Sequence, residues 1–137
     1  MSLDKKTAAF YPVPKLQPVA VLQQAAAVQN TWYTVLDTTK NCRLINVVMT
    51  MQTANEDLEL RLTIDGVVWV GGQANAVAGT DYLCFISYYG AALNITTTDY
   101  SIYRAFLIEG RSVKVEIRKT SANGANRLDG HVIYQTW

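Results

Sequence analysis

The sequence predicts an all-β fold, an antiparallel β-sandwich of about eight strands with an extended N-terminal arm. Two observations carry this prediction. Apolar and polar residues alternate in short segments that turn residues separate, which is typical of strands with one buried face. The chain also lacks the longer apolar periodicity of a convincing long helix. The pattern leaves two topologies open, a jelly roll and an immunoglobulin-like sandwich.

The clearest element is a β-hairpin between residues 57 and 70. Its first strand places apolar residues at every second position: Leu58, Leu60, Leu62 and Ile64. Asp65-Gly66 then supplies the dipeptide that a type I′ turn requires. A two-residue loop of this kind pairs Ile64 with Val67 and Leu62 with Trp69. We expect these four side chains to lie on the buried side.

The opposite face of the same hairpin is partly apolar. Val68 and Val70 are expected to lie beside Thr63 and Arg61, where the alternation predicts a polar surface. We expect another group to cover these two valines, which makes them candidate assembly contacts.

Residues 1–30 are predicted to form an extended arm, and residues 31–137 a single domain. The three prolines of the chain are Pro12, Pro14 and Pro18. Because proline lacks a backbone donor and favours extended neighbours, this segment is neither a central strand nor a helix. The apolar residues around these prolines are candidate contacts with a neighbouring subunit: Phe10, Tyr11, Val13 and Leu16. Residues 19–30 fit either a short helix or a strand, and we favour an extended segment.

Further strands follow along the chain. They are predicted at residues 32–37, 42–53, 82–89, 100–108, 111–119 and 128–137, and a short strand through Leu93 and Ile95 is expected within residues 90–98. A small-residue loop is predicted at 71–80 and a bulge at Asp129-Gly130. In the strand at 42–53, Ile45, Val47, Met49 and Met51 are expected to share one face. The predicted core combines the hairpin with the strand at 111–119: Leu58, Leu60, Leu62, Ile64, Trp69, Val113, Val115 and Ile117.

Composition restricts the classes of partner. Hydrophobic residues make up 50% of the chain and charged residues only 17%, with a net charge of +1. Soluble proteins average about 25% charged residues, so this surface suits packing against other subunits. A near-neutral chain without a basic run does not favour nucleic-acid binding. With no apolar run long enough to span a bilayer and no signal peptide, we expect synthesis in the cytoplasm and no membrane partner.

Residues that could carry chemistry are few, so we expect no enzyme, no cofactor and no metal site. The one histidine, His131, is interpreted as a surface or partly packed strand residue. Cys42 and Cys84 are interpreted as buried free thiols, with a single disulfide as the alternative. The acidic residues at 56, 57 and 59 lack the spacing of a known calcium loop and are interpreted as a solvated turn.

Two segments carry a resemblance to a family. Residues 30–39, NTWYTVLDTT, and residues 57–66, DLELRLTIDG, resemble the small β-sandwich structural proteins of tailed bacteriophages, over about residues 30–72. Such proteins decorate or cement capsids, or build tails and fibres. The resemblance therefore implies structural work in a phage particle and supplies no functional residues.

These observations predict a non-enzymatic virion structural protein. It is expected to be a homo-oligomer that contacts other virion proteins and resides in the virion after synthesis in the host cytoplasm. The alternative is a carbohydrate-binding or receptor-binding module with a glycan as its ligand. Tyrosines that could line a sugar-binding face are Tyr82, Tyr88, Tyr89, Tyr100, Tyr103 and Tyr134.

Overall fold

A computed structural model describes residues 19–86, 93–97, 108–122, 124 and 126–137. These residues form ten strands: β1 Val19–Ala27, β2 Tyr33–Thr38, β3 Cys42–Met51, β4 Glu56–Ile64, β5 Val67–Ala76, β6 Asp81–Ile86, β7 Leu93–Thr97, β8 Ile108–Gly110, β9 Val113–Lys119 and β10 Asn126–Thr136. The described ranges contain no helix. The predicted all-β antiparallel sandwich is therefore confirmed, with more strands than the eight expected.

The strands form two antiparallel sheets. The six-stranded sheet has the order β1-β10-β3-β6-β7, and β8 also pairs with β3. The four-stranded sheet has the order β2-β9-β4-β5. The first four strands alternate between the two sheets, and the first and last strands of the domain are neighbours. The chain therefore crosses the core repeatedly.

The first described strand, β1, lies within the segment expected to be an extended arm. It pairs with β10 from Val19 opposite Ile133 to Ala27 opposite Asn126. Of the two conformations left open for residues 19–30, the strand is the one observed at 19–27. Phe10, Tyr11, Val13 and Leu16 lie outside the described residues.

The core lies between the sheets and contains seven of the eight residues predicted for it. Leu58, Leu60, Leu62, Ile64, Val113, Val115 and Ile117 are all buried. Trp69 is only partly buried, and Val67, which was expected on the buried side, is 54% exposed. The expectation for Val67 was therefore wrong, whereas Trp69 lies on the core side and packs against the core without being fully buried. Among the described strands, β5 is at the edge of its sheet and pairs with β4 alone, which leaves Val67 less covered.

The predicted hairpin register is confirmed. Ile64 pairs with Val67 and Leu62 pairs with Trp69. Asp65 and Gly66 both have positive φ, 49° and 83°, as a type I′ turn requires. The Asp65 carboxylate also accepts hydrogen bonds from the backbone N–H groups of Arg111 and Ser112, at 2.7 and 2.9 Å. These bonds tie the hairpin turn to the connection between β8 and β9.

The small-residue loop expected at 71–80 begins later than predicted. Strand β5 runs to Ala76, and its Gly71 and Gly72 pair with Leu60 and Glu59. A Cβ at position 72 would lie 2.9 Å from the Leu58 carbonyl oxygen. Glycine at position 72 therefore lets the β4 backbone approach β5 closely, because any side chain there would collide with that oxygen.

The bulge expected at Asp129-Gly130 is also absent from that position. These residues pair regularly with Thr50 and Met49, and the register between β10 and β3 shifts between Ile133 and Tyr134. Gly130 serves packing instead, because a Cβ there would lie 2.7 Å from Ile117 Cδ1 and 2.8 Å from Val35 Cγ2. The two sheets approach each other closely at this glycine.

The register shift changes which residues of β3 face the core. Leu44 and Asn46 lie opposite consecutive residues of β10, so Ile45 is the extra residue. Cys42 and Leu44 are consequently buried together with Val47, Met49 and Met51, whereas Ile45 is only partly buried. The expectation that Ile45 shares the face of Val47 was wrong, because alternation does not continue through a bulge.

Candidate assembly surfaces

The outer face of the four-stranded sheet carries a ladder of ion pairs between β4 and β9. The Arg61 Nε donates to Glu116 Oε2 at 2.7 Å, and the Arg118 Nε donates to Glu59 Oε2 at 2.6 Å. Lys114 Nζ lies 3.2 Å from the second oxygen of Glu116. Opposite charges that face each other across paired strands stabilise the pairing. These ion pairs therefore link β4 to β9 on the outer face of the sheet.

Glu116 is the most enclosed member of this ladder, with a side chain that is 7% exposed. The hydrogen bond from Arg61 lowers the pKa of the Glu116 carboxyl, and this effect outweighs burial, which raises it. The same hydrogen bond raises the pKa of the Arg61 guanidinium. The pair therefore stays ionised in mild acid.

Trp32 lies against both arginines of the ladder. The Cζ atoms of Arg61 and Arg118 are 4.4 and 4.3 Å from the centre of its ring. A guanidinium at this distance from an indole ring is attracted to the ring's negative face. Carboxylates and the indole ring thus engage both arginines, and Trp32 fixes the start of β2 on the sheet.

A cluster of exposed valines follows on β5, next to the ladder. Val68 and Val70, the two predicted contact residues of the hairpin, are 53% and 50% exposed. They pair with Thr63 and Arg61, as the hairpin register predicts. These two residues form the β5 valine cluster, which the described part of the chain leaves uncovered. Val67 is exposed as well, but alternation along the strand places it on the opposite face, opposite Ile64.

A second apolar surface was not identified from the sequence. On the outer face of the six-stranded sheet, Val19 lies opposite Ile133, and Val21 lies opposite His131, whose other neighbour is Val48. Val19 and Val21 are 53% and 54% exposed. We call these four apolar residues, Val19, Val21, Val48 and Ile133, the β1 face. The alternation of valines at 19 and 21 was the available signal, and the ambiguity of residues 19–30 obscured it.

The residues considered for chemistry are distributed over the molecule. His131 is exposed on the β1 face side of the sheet. Cys42 is a buried free thiol whose pKa is raised by burial, whereas the Cys84 side chain lies outside the described residues. Among the described residues, no three His, Cys, Asp or Glu side chains form a group suited to a metal ion. The same residues contain no helix long and apolar enough to cross a bilayer.

The tyrosines proposed for a sugar-binding face do not form one in the described part of the chain. Tyr82 is buried, and its hydroxyl accepts a hydrogen bond from the Val77 N–H at 2.8 Å. Tyr134 is partly buried against the core. Tyr88, Tyr89, Tyr100 and Tyr103 lie outside the described residues.

One acidic residue of the expected solvated turn is buried. Glu56 is 1% exposed, and its carboxylate contacts Lys119, Ser121 and Asn126. The interpretation of Glu56 as a solvated residue was therefore wrong. Counting back by twos from Leu58 places it on the core side of β4, and counting forward from Ile117 places Lys119 there too. That parity was the signal in the sequence.

Comparisons with known proteins find limited likeness. No protein-family model matches the chain, and no curated protein matches it. Three solved structures of infectious bursal disease virus overlay on most of it. The Gx strain structure gives a TM-score of 0.37 at 14% identity, covering 87% of this chain and 32% of that one.

The other two structures give similar figures. The T=1 particles derived from the virus give a TM-score of 0.33 at 15% identity, covering 89% of this chain and 35% of that one. The Gt strain structure gives a TM-score of 0.32 at 16% identity, covering 90% of this chain and 36% of that one. The chain thus spans about a third of the length of these viral chains. At such low scores and identities, the likeness establishes neither a shared fold nor a function.

Proposed function

We propose that this protein is a non-enzymatic virion structural protein, which self-associates and binds neighbouring subunits as a capsid decoration or tail component. The observation that carries the proposal is the pair of apolar surfaces on the outer faces of the two sheets, which the described residues leave uncovered. The β5 valine cluster and the β1 face each expose valines by about half. Apolar surface that is grouped in this way on a sheet face is typical of protein contacts.

The strand order supports the jelly-roll alternative over the immunoglobulin-like one. Without β7 and β8, four strands remain in each sheet, in the orders β1-β10-β3-β6 and β2-β9-β4-β5. Eight strands in two sheets, with the first strand beside the last, are the arrangement of a jelly roll, a fold that viral capsid and lectin domains use. This topology suits a particle subunit and is equally compatible with the glycan-binding alternative.

The exposed valines alone bury too little apolar surface for stable association, so the arm is needed as a second contact. Covering the exposed half of a valine contributes about 1 kcal/mol, so the two residues of the β5 valine cluster contribute about 2 kcal/mol. Micromolar association requires about 8 kcal/mol, beyond the cost of immobilising two chains. The β5 valine cluster is therefore insufficient by itself, and the contacts of Phe10, Tyr11, Val13 and Leu16 supply the remainder.

The position of the arm fits contact with a neighbour. Residues 1–18 precede β1, and β1 is the edge strand of the six-stranded sheet. An extended segment of 18 residues reaches up to about 60 Å, well beyond a domain of this size. An arm of this kind would begin next to Val19 and Val21 and would add its apolar residues to the β1 face in a contact with an adjacent subunit.

The test is the solution mass by light scattering of the full chain, of a chain lacking residues 1–18, and of a Val68→Lys/Val70→Lys variant. We expect an oligomer for the full chain and dissociation in both altered proteins. Val77→Lys is the matched control, because Val77 is 51% exposed but lies outside the β5 valine cluster. Unchanged assembly in both altered proteins would contradict the proposal.

A further inference from the structure

A buried cluster of three polar side chains lies at one end of the sandwich. Glu56 is the first residue of β4, Lys119 the last of β9 and Asn126 the first of β10. The side chains of Lys119 and Glu56 are 1% and 0% exposed, and Asn126 is 9% exposed. The assembly surfaces do not use this cluster, which faces the core rather than the solvent.

The geometry brings an amine and a carboxamide to one carboxylate oxygen. Lys119 Nζ lies 3.3 Å from Glu56 Oε1, and Asn126 Nδ2 lies 2.5 Å from the same atom. Lys119 also donates to the Gly124 carbonyl oxygen, and Ser121 donates to the second oxygen of Glu56. The amine of Lys119 and the side-chain amide of Asn126 therefore lie beside each other, joined through Glu56.

A further contact polarises the amide. The Thr53 hydroxyl donates to Asn126 Oδ1 at 3.1 Å, on the oxygen that would gain negative charge if a nucleophile attacked Asn126 Cγ. A positioned donor at such an oxygen stabilises the tetrahedral transition state of acyl transfer. The cluster thus contains a nucleophile, an electrophile, a proton carrier and a donor to the developing oxyanion.

We propose that Lys119 and Asn126 form an intramolecular isopeptide bond, with Glu56 transferring the protons. Glu56 accepts a proton from the Lys119 ammonium, and the free amine attacks Asn126 Cγ. A bond forms between Nζ and Cγ, the bond between Cγ and Nδ2 breaks, and the leaving nitrogen departs as ammonium. Glu56 ends as a carboxylate, and the step needs no oxidant or other reactant.

The surroundings favour this reaction. Glu56 Oε1 holds the amine and the amide around a single atom, which replaces a bimolecular encounter by an intramolecular step and so favours this reaction. An open cleft lined by Ala27, Gln29, Ala122 and Gly124 reaches Lys119 and gives the released ammonium a route to solvent.

The bond would join the two sheets. β9 belongs to the four-stranded sheet and β10 to the six-stranded sheet, and the isopeptide would fix the ends of both strands at the connection between them. The strand ends could then not separate without breaking a covalent bond, whatever the assembly state.

Tryptic peptide mapping of the folded full-length protein tests the proposal. Trypsin cleaves after Arg118, Lys119 and Arg127 in the unmodified chain. Cross-linking blocks cleavage at Lys119, so we expect a peptide spanning residues 119–127 that is lighter than its sequence by one ammonia. Cleavage at Lys119, with a peptide of full mass at 120–127 after prolonged incubation of the folded protein, would overturn the proposal.

The tryptic peptide map also distinguishes the isopeptide from other products that form with loss of ammonia. Asn123-Gly124 is a sequence in which asparagine can cyclise to a succinimide, with the same change in mass. A succinimide leaves Lys119 open to trypsin and hydrolyses in mild base, whereas an isopeptide does neither. Loss of ammonia with cleavage at Lys119 would therefore count against the proposal.

Glu56→Gln tests the role of the carboxylate. Glu59→Gln is the matched control, because Glu59 lies on the same strand and pairs with Arg118, the neighbour of Lys119. We expect at least a hundredfold slower cross-linking in the Glu56 variant and the normal rate in the Glu59 variant. An unchanged rate in Glu56→Gln would remove Glu56 from the reaction, and if that variant does not fold, the wild-type map still decides.

Discussion

The close approach of the two sheets at Gly130 gives a prediction with an unusual sign. Replacing glycine by alanine within a strand normally stabilises a protein, by about 0.5–1 kcal/mol. At Gly130 the added methyl group would lie 2.7 Å from Ile117 Cδ1 and 2.8 Å from Val35 Cγ2, shorter than ordinary carbon contacts. Side chains of both facing strands must therefore move. We expect Gly130→Ala to lower the free energy of unfolding by about 1–3 kcal/mol.

Urea denaturation monitored by tryptophan fluorescence measures this change, and a second substitution tests its cause. Ile117→Val removes the Cδ1 atom and by itself costs about 0.5–1.5 kcal/mol. In the double variant, that atom no longer meets the alanine, so the combined loss should be at least about 0.5 kcal/mol smaller than the sum of the single losses. A stabilising Gly130→Ala, or strictly additive losses, would refute the proposed contact between the sheets.

Three further predictions concern single side chains. Leu62→Ala should lower the free energy of unfolding by about 2–5 kcal/mol, because Leu62 is fully buried, whereas Val68→Ala should change it by less than about 0.5 kcal/mol; equal effects would contradict the hairpin register. Glu116→Gln should cost about 1.5 kcal/mol at neutral pH. Because the pKa of Glu116 is lowered in the folded protein, the stability that the ionised carboxylate contributes is present above pH 4.5 and is lost as the pH falls through the folded-state pKa. The free energies of unfolding of the wild type and the Glu116→Gln variant should therefore converge in acid. Parallel curves would contradict this. Cys42 should react with a thiol reagent far more slowly in the native protein than in urea, since it is buried and its pKa is raised, and rapid native labelling mapped to Cys42 would contradict its placement.

Local patterns in the sequence were enough to predict the sandwich and its central hairpin. Asp65-Gly66 determines the turn type, and the turn determines the register, so the pairing of Leu62 with Trp69 follows from neighbouring residues alone. The burial of Val113, Val115 and Ile117 follows from strict alternation in the same way.

Features that depend on distant residues could not be predicted in this way. Whether Val67 is buried depends on the place of β5 at the edge of its sheet, and the need for Gly130 depends on side chains of the facing sheet. The burial of Glu56 with Lys119 could have been inferred from parity. Their charges argued against it, because charged residues are almost never fully buried unless they are paired.

Self-association is the central claim, and the solution mass of the full-length chain tests it most directly. The chain has a mass of 15.2 kDa. Light scattering over a wide range of protein concentration should give a defined multiple of that mass, as closed symmetry requires. A mass of 15.2 kDa at every concentration would show that the exposed valines do not join copies of this chain and would contradict the account.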